Sequence, residues 1–278
     1  MTAFLKARSM RARTRVLLLL ALLAAQPAAA SVCASDEAQS DVTGVDQCLL
    51  MRRYGAGATD VLLVFIHGDV SAGGPADYHY AIAERAAREF AAAKVTSVAL
   101  VRPGYGDASG RESTVAMMQR GRSDHYTREN LAEVGAAIER LRGKLKPRTV
   151  IVIGHSGGAA TAAILLGMMP GLIDAAVLVS CPCDLVAWRS GRRAWSRSEN
   201  PLDWADRVDA AAHVVALTGA NDDNTLPALA QAYVDKLRAR KVDAKFDVLP
   251  GATHNGAFKS PAVLDAVRGL LPANAPRR

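Results

Sequence analysis

The chain has 278 residues, half of them apolar, with 34 Lys and Arg against 27 Asp and Glu and a formal net charge of +7. Five of the cations, Lys6, Arg8, Arg11, Arg13 and Arg15, lie in the first fifteen residues with no acid beside them, so the remainder carries only +2. That remainder has no Lys/Arg block and no interleaved basic and aromatic residues, which excludes a nucleic-acid partner, while its apolar content suffices for a continuous core.

Taken in chain order, the basic start runs into an apolar stretch from Val16 to Ala25 and then the small residues Ala28, Ala29 and Ala30. This pattern predicts a signal peptide over residues 1–30, because an apolar run of about ten residues falls well short of the roughly twenty that span a bilayer. Ala12 separates Arg11 from Arg13, so no twin-arginine pair forms, and Val32 stands where a lipoprotein signal needs a small residue before Cys33. The expected product starts at Ser31 and is secreted or periplasmic, with no stable membrane insertion. Residues 31–46 read as a polar segment and residues 47–278 as a single domain.

All four cysteines, Cys33, Cys48, Cys181 and Cys183, lie in the exported part, where oxidation is their normal fate. Cys33 with Cys48 would close a loop worth about 3 kcal/mol of chain entropy, leaving Cys181 to bond Cys183. Cross-pairing of the two groups stays open by sequence. A zinc site at Cys181-Pro182-Cys183 lacks a second Cys/His pair at ligand spacing.

From Gln47 onward, short β-branched runs alternate with longer amphipathic stretches, the pattern of βαβ units. A strand over 47–53 is expected antiparallel at one edge. Parallel strands are predicted over 61–66, 96–101, 149–153, 175–180, 213–218 and 244–249. Helices over 77–93, 127–144, 157–168, 226–240 and 257–271 are long enough to cross back over the sheet, right-handedly. One connection breaks the rhythm. Residues 182–212 hold all three tryptophans, Trp188, Trp195 and Trp204, with Arg189, Arg192, Arg193 and Arg197, and show no helical period. The segment is too short for a cap domain and reads as a loop packed by its own aromatics or as a rim of a substrate pocket.

The strand at 149–153 runs directly into Gly154-His155-Ser156-Gly157-Gly158 and then into an alanine-rich helix. A serine on so sharp a turn exposes its hydroxyl and sits at a helix N-terminus, where the Gly157 amide and the helix dipole favour negative charge. Gly154 and Gly158 are needed because a Cβ at either position would meet neighbouring backbone. In this context the chain resembles the α/β-hydrolase family, its Ser156 matching the family's nucleophile, and in motif style it is similar to small esterases and prolyl-oligopeptidase-type peptidase domains. The resemblance implies an α/β fold with a mostly parallel central sheet, helices on both faces and no large cap domain.

It also implies an order of nucleophile, acid and histidine. After the strand 213–218, Gly219-Ala220-Asn221-Asp222-Asp223-Asn224 places the family's acid at Asp222, with Asp223 as its neighbour and alternative. Leu249-Pro250-Gly251-Ala252-Thr253-His254 matches the loop that presents the family's histidine, so His254 is the expected base. His67, His79, His125, His155 and His213 are read as structural. His67-Gly68-Asp69 is similar to the family's His-Gly turn and assigns an oxyanion donor to the Asp69 amide, or to Val70 beside it, opposite the Gly157 amide. Arg102-Pro103-Gly104-Tyr105-Gly106-Asp107-Ala108-Ser109 looks like the family's Arg-x-Gly-x-Gly-x-Ser turn, and its spacing is not that of a phosphate-binding loop.

These residues imply acyl transfer to Ser156 from a small-molecule or peptide acyl substrate, with no metal or organic cofactor. An ester-cleaving enzyme, a peptidase or amidase, and a catalytically silent binding protein on the same fold are the competing expectations. Arg189, Arg192 and Arg193 are candidates to receive an acidic or polar group of the substrate.

Overall fold

The computed structural model describes Met1, Cys33 and residues 39–55, 57–115 and 126–272. His125 and the predicted leader after Met1 lie outside the described residues. Eight strands form one sheet in the order β1-β2-β4-β3-β5-β6-β7-β8: β1 Asp41–Thr43, β2 Cys48–Tyr54, β3 Val61–Ile66, β4 Val95–Leu100, β5 Thr149–His155, β6 Ala175–Val179, β7 His213–Gly219 and β8 Asp243–Leu249. The pairs β1/β2 and β2/β4 are antiparallel and the rest parallel.

The sheet is buried on both faces, which is why its strands read as continuous apolar runs. Successive residues of β3 point to opposite sides: Leu62, Val64 and Ile66 join one core, Val61, Leu63 and Phe65 the other. The first core is closed by α2 Arg128–Leu145, α3 Gly157–Met168 and α6 Pro227–Ala239. The second is closed by α1 Tyr80–Glu89, α7 His254–Lys259 and α8 Ala262–Leu270. Helix α3 is buried from Gly157 to Gly167, so its alanines and leucines have no polar face to keep wet.

Three expectations are corrected. The antiparallel strand β2 is not the edge, because β1 pairs outside it; Asp-Val-Thr is too short and polar to read as a strand, yet Asp41 is buried and its carboxylate takes an ion pair from Arg111. The helix expected over 257–271 is two helices, since Pro261 has no N–H to donate and disfavours helical geometry at Ser260, which is extended at φ −66°, ψ 142°. The helix expected from Asp77 starts at Tyr80. Within 182–212, two four-residue helices form, α4 Leu185–Trp188 and α5 Pro201–Trp204.

Disulfides join Cys33 to Cys48 and Cys181 to Cys183. Among the described residues, no helix is long and apolar enough to cross a membrane. The chain leaves β3 toward β4 on one side and returns to β5 on the other, so the strand order reverses at β3. The carboxyl ends of β3 and β5 therefore diverge into a crevice, the place where open α/β sheets hold ligands.

Candidate active site

Ser156 sits between the end of β5 and the first turn of α3 at φ 51°, ψ −116°. This is a strained conformation for a residue with a Cβ, costing about 1–3 kcal/mol, and it persists because the surroundings over-determine it. The Ser156 amide donates to Val179 O at 2.8 Å, and its carbonyl accepts the Ala160 amide at 3.0 Å, so both ends of the turn are anchored. A Cβ on Gly154 would overlap Gly158 O, and one on Gly158 would overlap Ile66 O and lie 2.6 Å from His67 O. A Cβ on Gly68 would lie 2.9 Å from the Cβ of Ser156. The His67-Gly68-Asp69 turn therefore packs directly against the elbow, and only glycine fits between them.

The other two groups arrive from the ends of β7 and β8. Gly219 lets the turn after β7 close on the chain before His254: its Cβ would overlap Ala252 O, and the Asn221 amide donates to that same carbonyl at 2.9 Å. Asp222 is buried, and its carboxylate lies 3.0 and 3.1 Å from His254 Nδ1. Asp223 beside it is exposed. His254 is the first residue of α7, capped by Thr253, not part of an irregular loop. The carboxylate can only accept from Nδ1, so Nδ1 carries the proton and Nε2 holds the lone pair.

Burial acts to raise the Asp222 carboxyl. Hydrogen bonds from His254, the Thr225 amide and Ser180, with the charge of His254, outweigh it and hold the group at about 2. Thr225 also places its hydroxyl 2.9 Å from Asp222 Oδ2, 3.0 Å from Ser180 O and 3.1 Å from His254 Nδ1. Among the described residues Ser156 Oγ makes no hydrogen bond, and His254 Nε2 lies 3.4 Å from the side-chain amide of Asn224. Such looseness is common before substrate binds.

His155 is not a bystander. The Gly68 amide donates to Tyr78 Oη at 2.6 Å, Tyr78 lies 2.7 Å from His155 Nδ1, and His155 Nε2 lies 3.2 Å from His254 O. A carbonyl only accepts, so Nε2 is the donor and Tyr78 gives its proton to Nδ1. Burial, reinforced by nearby His254, pushes the ring down to about 4 and keeps it neutral, while burial pushes the Tyr78 phenol up to about 12. The pair thus ties the His-Gly turn to the first residue of α7.

Behind the elbow, the Asp69 carboxylate accepts from Arg102 Nη2 at 2.6 Å, Tyr126 at 2.7 Å and Tyr105 at 3.2 Å. Arg102 is buried; the cost of burial is outweighed by Asp69 and the two phenols, which raise the guanidinium further. A side chain on Gly157 would run into Asp69 Oδ1 and Arg102 Nη1. The side chain of Asp69 is thus fixed inward beneath the start of α3, which sets the path of its backbone beside Ser156.

A cleft of about 940 Å³ opens on Ser156, His155 and His254, bounded by the His-Gly turn, α1, α7 and the Trp/Arg segment. Among the described residues, no group of three or more His, Cys, Asp or Glu side chains is placed to share a metal ion.

A sequence model described as the Alpha/beta hydrolase family matches residues 63–202, half of the chain, which spans the His-Gly turn, the Arg102 turn and the elbow. The chain belongs to that family. Solved structures share the hydrolase fold at low identity. Est1E from Butyrivibrio proteoclasticus matches with a TM-score of 0.62 and 15% identity over 84% of this chain and 97% of its own. The esterase Pf2001 of Pyrococcus furiosus matches at 0.61 and 17% over 83% and 90%. An acylaminoacyl peptidase from Pyrococcus horikoshii matches at 0.62 and 14% over 82% of this chain but 39% of its own. No curated protein matches the sequence.

Sequence reasoning on this hydrolase missed Thr225, Ser180, Asn224 and Tyr78, and took Arg102 only as a fold marker. Thr225 had a signal, three residues after Asp222, where Asp and Thr side chains commonly close a turn. Ser180 and Tyr78 had none, since each reaches the site from a separate strand end or helix start.

Proposed function

We propose that this hydrolase is an exported serine esterase. His254 Nε2 takes the Ser156 proton as Oγ attacks the ester carbonyl, and Asp222 holds the imidazole and stabilises its charged form. The amides of Gly157 and Asp69 receive the oxyanion. His254 then gives its proton to the leaving alcohol and next draws one from water, whose oxygen releases the acid from Ser156. The observation that carries the reading is the buried Asp222 joined to His254 Nδ1, leaving Nε2 in the same cleft as a serine on a strained strand-to-helix turn. Ester bonds come first because the esterase Pf2001 is matched over 90% of its own length, whereas the peptidase is matched over less than half of its own. Amide cleavage by the same residues is the second reading, favoured by that peptidase's likeness.

Export rests on the predicted leader and on two disulfides, which persist in oxidising compartments. Two measurements test the proposal. Ser156→Ala is expected to abolish both 4-nitrophenyl acetate turnover and fluorophosphonate labelling; full turnover in that variant removes the serine from the mechanism. Protein recovered from a secreting host is expected to begin at Ser31, and an intact leader on it would refute processing.

A further inference from the structure

The cleft wall facing Ser156 carries an excess of positive charge. Arg85 from α1, Arg189 and Arg192 from the Trp/Arg segment and Lys259 from the end of α7 all line it. Among the described residues the one acid in that lining is Asp69, whose carboxylate is turned inward onto Arg102, Tyr105 and Tyr126. Arg85 pairs with exposed Glu89 at 3.3 Å, but among the described residues neither Arg192 nor Lys259 has an acidic partner.

Arg189 is held ready. Its Nε and Nη2 donate to Arg193 O at 3.0 and 2.8 Å, and its guanidinium lies over Trp195 at 4.8 Å and over Trp188 at 5.5 Å. A guanidinium fixed in this way loses little further freedom when it binds, and the Nη1 edge remains for a ligand. The arrangement is also tied to the reaction centre: Trp188 Nε1 donates to Asn224 O at 2.8 Å, and the Asn224 side chain lies 3.4 Å from His254 Nε2. Of the three arginines singled out in the sequence, Arg189 and Arg192 reach the cleft and Arg193 does not line it.

We infer that the substrate is an anionic ester: Arg189 and Arg192 hold a carboxylate distant from the scissile bond, while Trp188 and Trp195 cover the apolar part between. This rests on the serine esterase reading, and it adds the substrate class. The charge is fixed by protein side chains in a cleft that also offers aromatic faces, so a planar carboxylate gains paired hydrogen bonds that a neutral isostere cannot make.

Two ester pairs test it: 4-nitrophenyl hemisuccinate against 4-nitrophenyl butyrate, and 4-acetoxybenzoate against its methyl ester. The first carries the charge on the acyl side, the second on the leaving group. Wild type is expected to show a higher kcat/KM for the anion in at least one pair, with the preference shrinking as salt rises. Arg192→Gln should lower the anion-to-neutral ratio about tenfold, and Arg189→Gln at least as much. Arg192→Lys should restore part of it. Arg192 does not hold the segment together through Arg193, so its variant stands if Arg189→Gln fails to fold.

Ratios at or below one in both pairs, or ratios unmoved by the arginine variants, overturn the anion site and leave the esterase reading intact. A second readout is independent of turnover: titration of Ser156→Ala protein with 4-acetoxybenzoate should quench tryptophan fluorescence at concentrations where the methyl ester does not. Quenching of the variant by the anion alone, together with a wild type that cleaves none of the esters, supports the anion site and rejects the serine esterase reading; equal quenching by both compounds counts against the anion site.

Discussion

Behind Ser156 the chain is packed so closely that Gly154, Gly158 and Gly68 have no room for a Cβ, and the Asp69 carboxylate is held by buried Arg102 and Tyr126. Across the cleft, residues 182–212 hold their course through Trp and Arg side chains stacked at 4.8–5.5 Å, with the Trp188 and Trp195 rings edge to face. Gly191, in that segment, has nothing within 4 Å of the place its Cβ would take. Bond cleavage needs atoms fixed to fractions of an ångström, and close packing supplies that. Recognition tolerates more adjustment, which stacked side chains at a rim allow. The two regions meet where Trp188 donates to Asn224 and where Trp195 packs edge to face on Tyr126, which holds Asp69, so a change in the rim reaches His254 through the first contact and the His-Gly turn through the second.

The comparison can be broken most forcefully at the acid. Asp222→Asn should lower kcat about 10⁴-fold, because the imidazole loses the acceptor that fixes its tautomer. Asp223→Asn, one residue away and exposed, should stay within a few-fold, and steady-state kinetics on 4-nitrophenyl acetate distinguishes them. Equal losses would mean that the acid has been assigned to the wrong carboxylate.

Next in size are the glycines. Gly158→Ala forces a Cβ into Ile66 O and should cost about 3 kcal/mol with loss of activity, whereas Gly191→Ala carries only the strain of φ 71°, about 1 kcal/mol. Denaturant melts of the two variants measure the difference. If they were destabilised alike, the rim would be as tightly packed as the elbow.

The smallest effect is a pH dependence confined to the packed side. His155 and His79 are held neutral by burial, with values lowered from 6.5 to about 4 and about 3. Between those values and 6.5 the unfolded chain binds more protons than the folded one, so stability is full above pH 6.5 and falls as pH drops through about 4. His155→Gln should flatten part of that slope in melting temperature measured against pH. Asp222, lowered from 3.8 to about 2, adds a further loss between about pH 4 and pH 2, again because the unfolded chain takes the proton first.

Much of this architecture was readable from local pattern. The strand runs at 61–66, 149–153 and 213–218 are apolar because both faces of the sheet are covered, so burial alone writes them into the sequence. β1 was unreadable because three residues with one apolar side chain carry no period; Arg111, seventy residues away, is what anchors it. The candidate site divides in the same way. Ser156, Asp222 and His254 each stand in a short motif, and the structure brings Ser156 and His254 to one cleft with Asp222 buried against the histidine. Asp222 and Asp223 are indistinguishable by spacing, and their difference, one buried against Thr225 and Ser180 and the other in solvent, exists only once β6 and β7 are side by side.

The sequence by itself therefore determined most of the elements, the sharp turn at Ser156 and the residue types for acyl chemistry, because those depend on neighbours a few positions apart. Only the tertiary structure decided which carboxylate meets His254, that His155 and Tyr78 link the His-Gly turn to α7, and that Arg189 and Arg192 face the cleft while Arg193 does not line it. Each of those facts is set by side chains from distant strands and helices converging at the sheet's carboxyl edge, and no local pattern records which way they point.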